Sequence, residues 1–276
     1  MKEILALEFM QNAIMAGFLT SIVCGVIGMF VVTKRLVFIS GGISHASFAG
    51  LGIAHYLSIN PVYGAIASAI LSAIALGSVQ RENIQRNDTL IGVLWAVGMA
   101  IGILFIHITP GYSPNLMSYL FGNILMVSRS DLWLIFFLDI FIILIIGIFY
   151  KEFIALSFDE EFLSTQGMPT AWLYILLLVL IALTVVMLIQ VVGIILVIAL
   201  LSIPPAISLE LIKNFKIAMI LSMIIGIVIT LGGLAISYSM NIPSGPAIIL
   251  LGAALLVLIT IGRRTIDIFL RQDIRV

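Results

Sequence analysis

Little in this chain is charged: 13 Lys and Arg stand against 13 Asp and Glu in 276 residues, 9% in all, with a formal net charge of zero. That balance leaves no electrostatic basis for nucleic acid as a partner. Cysteine is nearly absent, and Cys24 alone excludes an intrachain disulfide or a thiolate metal cluster. Phosphate-binding and hydrolytic signatures are also missing. Without a G-x-x-x-x-G-K-[ST] loop, an H-E-x-x-H helix or a G-x-S-x-G elbow, the chain is not expected to be an enzyme, and any ATP hydrolysis coupled to it belongs to another subunit. No linker or low-complexity tract divides the sequence, so residues 1–276 are expected to form a single membrane domain.

What the chain has instead is apolar length. Hydrophobic residues make up 62% of it, and the mean hydropathy is +1.29. Windows of about 20 residues, enough to cross the hydrocarbon core, fall near 10–33, 36–58, 61–80, 89–109, 131–150, 171–189, 191–212, 217–240 and 246–262. The expected fold is therefore an all-α polytopic membrane protein of eight to nine transmembrane helices. Between the fourth and fifth windows, "GYSPNLMSYLFGNILMVSRSD" (111–131) holds an apolar stretch too short to cross, which reads as a short re-entrant or interfacial helix. The first apolar run lacks a small-residue cleavage site and is expected to be a retained span rather than a secretory signal.

Basic residues orient the bundle. Lys34 and Arg35, Arg81 and Arg86, Lys151, Lys213 and Lys216, and Arg263 and Arg264 fall in alternate loops, which the positive-inside bias assigns to the cytoplasm, with the N-terminus outside and the C-terminus inside. Arg129 falls on the opposite side, where Asp131 is its nearest expected partner.

Ionisable side chains are costly in hydrocarbon, so those within the spans are the candidates for function. His45 sits among Gly41, Gly42, Ser44 and Ala46 in the second span, on a helix that another backbone can approach closely. A neutral imidazole ligates zinc, iron or manganese. One from each of two copies, completed by water, would make a waypoint suited to transit. The competing reading is a packing histidine satisfied by a hydroxyl or carbonyl. His55 and His107, near the outer ends of the second and fourth spans, are further candidate metal ligands, or ordinary interfacial polar residues. His55 lies ten residues, about 15 Å, beyond His45, so the two cannot share an ion. Asp139, in "FFLDIFII", is a candidate ligand or proton relay, or else makes a packing hydrogen bond. Glu210 follows Pro204 and Pro205, which are expected to break the helix, and has Lys213 as its expected partner.

The stretch "LSFDEEFLSTQGMPTAW" (156–172) reads as a short helix on the cytoplasmic side. Ser157 or Asp159 can cap it, Asp159, Glu160 and Glu161 sit at its positive dipole end, Gly167 can close it, and Phe158, Phe162 and Leu163 give it an apolar side. An acidic polar side argues for docking to a protein rather than to lipid.

Four segments taken in order resemble the membrane permease subunits of ATP-binding-cassette importers for zinc, manganese and related divalent metals. They are "FVVTKRLVFISGGISHASFAGLGIA", "YLFGNIL", "VVGIILVIALLSIPPA" and "NIPSGPAIILLGAALL". "SFDEEFLSTQG" is similar to the coupling helix of that family, with Glu161 six positions before Gly167. The resemblance implies that Asp159, Glu160, Glu161, Phe162 and Gly167 meet an ATPase, and that two copies of the permease stand on two ATPase subunits in a prokaryotic cell membrane. It also implies an extracytoplasmic metal-binding protein as donor, and a transported divalent metal with no permanently bound cofactor. Many members carry an aspartate four residues before the helix-two histidine, where this chain has Gly41, which weakens the case for manganese. The rival reading is a secondary metal carrier or channel independent of any ATPase.

Overall fold

The computed structural model describes residues 7–79, 84–110, 122 and 124–273, with side chains for all of these except 84–87 and 266–273. Every element among them is helical. In chain order they are α1 (Glu8–Thr33), α2 (Val37–Tyr56), α3 (Pro61–Val79), α4 (Ile84–Ile108), a 3-10 turn (Ile124–Met126), α5 (Arg129–Ile148), α6 (Tyr150–Phe158), α7 (Glu160–Thr165), α8 (Thr170–Leu211), α9 (Phe215–Met240) and α10 (Ser244–Asp273). Eight of these are long and apolar enough to cross a membrane. In α1, α2 and α8, 72–78% of the most apolar window is buried; in α3, α4, α5 and α10 it is 22–28%, which makes the first three the core and the rest the periphery.

Helix α8 explains why nine apolar windows give eight helices. Its 42 residues would run to about 63 Å, twice the hydrocarbon thickness. Both of its ends nevertheless meet the C-terminal end of α1. Lys34 lies 5.8 Å from the ring centre of Tyr174 near the start of α8, and Val32 shares a recess with Leu209 and Glu210 near its end. The chain therefore doubles back, and it does so at Gly193, whose φ of 77° and ψ of 166° lie outside the helical region and favour glycine. Gly122 abuts Val192 there, on the far side of the bundle from Lys34, and Ile195 and Leu196 line a recess with Gly245 and Pro246 at the start of α10. Eight helices thus make nine crossings, with Glu8 and Arg263 on opposite faces.

Two sequence expectations fail within this frame. Pro204 and Pro205 do not break α8, which continues through them to Leu211. The carbonyl of Leu201, left without the amide that Pro205 lacks, faces α1 at Gly28, where an added Cβ would lie 2.6 Å from that oxygen. Arg129 does not pair with Asp131. Its Nε lies 2.9 Å from Glu8 Oε1, while Asp131 closes a capping box with Ser128 at the start of α5, a local geometry that competes for the carboxylate. The re-entrant helix expected in 111–131 falls mostly on residues 111–121 and 123, outside those described. Its described end is the 3-10 turn, with Ile124 buried and the Val127 carbonyl accepting from Asn12 Nδ2 at 3.2 Å.

Candidate functional site: a lipid-depth imidazole and a tethered surface helix

Helix α2 carries His45 near its midpoint, and α4 crosses it closely enough to cover one face of the ring. Gly98 is what allows this. A Cβ added there would lie 2.6 Å from Ala46 Cα and 2.7 Å from the His45 carbonyl oxygen, so only glycine lets the two backbones touch. Trp95, one turn earlier on α4, then stacks on the imidazole with ring centres 4.4 Å apart and planes 29° apart. Nδ1 of His45 is buried with no hydrogen-bond partner, and the residue as a whole is half-buried. The packing reading from sequence required a hydroxyl or carbonyl to satisfy the ring. Ser44 and Ser47 instead donate to the carbonyls of Gly41 and Ser44 along their own helix, at 2.7 and 2.6 Å.

The other candidates lie apart. His55 is half-buried near the end of α2 with Nε2 unpartnered, and His107 is exposed near the end of α4; Tyr56 and Phe105, with ring centres 5.5 Å apart, hold those two helix ends together. Asp139 is 3% exposed, with both carboxylate oxygens unpartnered, on α5, which packs on α1 and α8. Among the described residues, no three His, Cys, Asp or Glu side chains converge as a metal cage. Glu210 and Lys213 line the same recess with Arg263, but no ion pair joins them.

At the basic face, the helix expected within 156–172 is α7, and it follows directly on α6. Helix α6 ends at Phe158, and Asp159 starts α7 by accepting from the Phe162 amide at 2.8 Å; Ser157, whose hydroxyl donates to the Phe153 carbonyl, is not the cap. Gly167, with φ 74°, closes α7. Phe158 and Phe162 project outward, 64% and 55% exposed, while Leu163 turns inward. Lys34, in the turn between α1 and α2, donates to the Leu156 carbonyl at 2.7 Å and pairs with Glu160. Phe158 meets Phe215 at 5.8 Å, and Phe215 meets Phe30 at 5.3 Å, so the end of α6, just before α7, is joined to α9 and through it to α1 by aromatic contacts.

Trp95 and Lys34 were missed from sequence. Trp95 lay inside an ordinary apolar run, where the sole signal was Gly98 and Gly102 at one and two turns beyond it. In the sequence, Lys34 stands out only as a topological charge.

A bundle of nine crossings with one imidazole at mid-depth, no nucleotide cradle of its own and a short exposed helix tied to the core has the build of a transporter's membrane-spanning subunit. The chain belongs to the ABC 3 transport family, whose model matches residues 6–263. It is 49% identical over 253 residues to an uncharacterized membrane protein of Synechocystis sp., covering 92% of this chain and 90% of that one. It is 32% identical over 256 residues to the manganese transport system membrane protein MntC of Halalkalibacterium halodurans, covering 93% and 88%. Among solved structures it is similar to PsaBC from Streptococcus pneumoniae in complex with a Fab, with a TM-score of 0.85 at 32% identity, covering 94% of this chain and 93% of that one.

Proposed function

We propose that the chain is the permease of an ATP-driven importer for a divalent metal ion of the zinc, iron or manganese class, working as a pair of copies around a shared passage. The observation that carries this reading is His45: a half-buried imidazole at mid-span that no protein hydroxyl or carbonyl engages. One such ring from each copy, with water filling the remaining positions, holds a metal loosely enough to release it. The metal-transport name of a relative, the manganese transport system membrane protein MntC, supports the choice of cargo.

The face that carries Lys34, Lys213 and Arg263 is cytoplasmic on this reading, by the positive-inside bias, which leaves Glu8 outside. An ATP-binding-cassette subunit docks there on α7 and the end of α6, meeting the exposed Phe162 and Phe158, with Glu161 and Asp159 supplying the acidic side. Its closure pulls α7. The pull reaches the α1–α2 turn through Lys34 and Glu160, and α2 carries His45. An extracytoplasmic metal-binding protein feeds the opposite face. Hydrolysis resides in the ATPase subunits, so the permease is itself no enzyme.

The test is metal uptake in proteoliposomes containing the permease with its ATPase subunits. His45→Ala is expected to abolish ATP-dependent accumulation, and accumulation at the native rate would remove His45 from the path. Transport by the permease alone, without any ATPase, would favour the secondary-carrier reading instead.

A further inference from the structure

Resting on the reading of His45 as the waypoint, we propose that Trp95 is a positioning residue that fixes the imidazole with Nε2 as its ligand atom and stabilises the metal-bound ring, making the waypoint a station whose protein ligands are imidazole nitrogens without a carboxylate, selective for zinc over manganese. Three observations carry this. The stack is set by backbone: Gly98 touches the His45–Ala46 main chain, so Trp95, one turn away, is held over the ring rather than resting there by chance. The indole also reaches the previous turn of α2. A Cβ added at Gly41 would lie 3.9 Å from Trp95 Cη2 and 3.1 Å from Ile198 Cδ1, so Trp95 spans the strip from His45 to Gly41. Finally, Nδ1 is sealed and unpartnered, which leaves Nε2 as the atom an ion can reach.

The chemistry follows from what an indole does for a cation. A coordinated imidazole shares the metal's charge, whereas the empty ring is neutral. An indole face attracts the charged form more strongly, most of all where water is scarce. The stack thus favours the loaded state over the empty one. It offers no ligand atom, and among the described residues no group of three His, Cys, Asp or Glu side chains gathers to supply one. Imidazole nitrogen without a hard oxygen partner suits zinc, while manganese favours carboxylate and carbonyl oxygen.

The chain has three tryptophans, at 95, 133 and 172, so Trp133→Phe with Trp172→Phe leaves Trp95 as the sole indole of the permease, and the His45→Ala transporter supplies the background of its partner subunits. In that background, zinc chloride is expected to change the emission of the intact transporter saturably, manganese chloride to do so only at roughly tenfold or higher concentration, and His45→Ala to abolish the response. In uptake, Trp95→Phe keeps an aromatic face and is expected to stay within about threefold of the native KM for zinc. Trp95→Leu, which fills space without a π face, is expected to raise it roughly 3- to 30-fold while changing the maximal rate less. Equal behaviour of the Phe and Leu variants would reduce Trp95 to packing and overturn the proposal. So would a native transporter that accumulates zinc with no His45-dependent emission change, or one that takes up manganese as readily as zinc. If the native transporter accumulates no divalent metal at all, the underlying functional reading fails, and the emission titration reports separately whether the stack binds zinc.

Discussion

On the proposed reading, two residues on one turn of α2, Gly41 and His45, decide what the passage can hold. At Gly41 the nearest atom to an added Cβ is the far end of the Ile198 side chain, at 3.1 Å, which can give way. Gly41→Asp is therefore expected to fold and to set a carboxylate one turn from His45, raising manganese uptake relative to zinc several-fold in a competition assay. Asp139 offers the opposite case. Its unpartnered oxygens lie on α5, among helices other than the α2–α4 pair that holds His45. Asp139→Leu removes a buried group that nothing satisfies, at a cost of roughly 1–3 kcal/mol to the native protein. The expected result is a raised thermal midpoint with uptake within twofold of native, and a collapse of uptake would make Asp139 part of the path. The histidine was legible in the sequence because an ionisable residue among glycines and serines stands out in apolar text. Its tryptophan cover was not, since a stack between α2 and α4 depends on a backbone contact that no single helix encodes.

Among the elements, α7 is the one whose six residues cannot hold themselves in place, because so short a helix is marginal without tertiary support. Lys34 supplies part of that support through Glu160 and the Leu156 carbonyl. Lys34→Gln is expected to leave the bundle folded and ATP hydrolysis active while lowering the metal moved per ATP, a ratio measured by parallel phosphate-release and uptake assays. Glu161→Lys reverses charge on the exposed side and is expected to uncouple the two more completely; retained coupling would count against docking through that residue. The acids, the phenylalanines and the closing glycine of α7 could be read from sequence. The cap at Asp159 is one of two that the sequence offers, but the bond to Lys34 could not be read, because it joins residues 126 positions apart.

At the scale of the molecule, hydropathy gave the number of crossings correctly, yet it placed the division of α8 at residue 190, a few positions before Gly193. A glycine inside "VVGIIL" reads as unremarkable packing, and only the meeting of both ends of α8 with α1 shows that the chain reverses there. The nine-crossing topology predicts labelling. With Cys24→Ser as background, single cysteines at Ser164 and Lys213 are expected to react with a membrane-impermeant maleimide from one side, and those at Asn60 and Asn241 from the other. Reaction of the Lys213 position together with Asn60, and of the Asn241 position together with Ser164, would mean that α8 crosses once.

The reversal at Gly193 uses no loop. Elsewhere in the bundle an extra residue between spans is absorbed by a turn, but here each added residue would rotate the whole returning limb by about 100° about its axis. A single inserted alanine after Gly193 would swing Val197, Leu200 and Leu201 from the interior toward acyl chains. Chain length at this point is thus a fixed phase, and related sequences are expected to vary in residue type around it without ever gaining or losing a position.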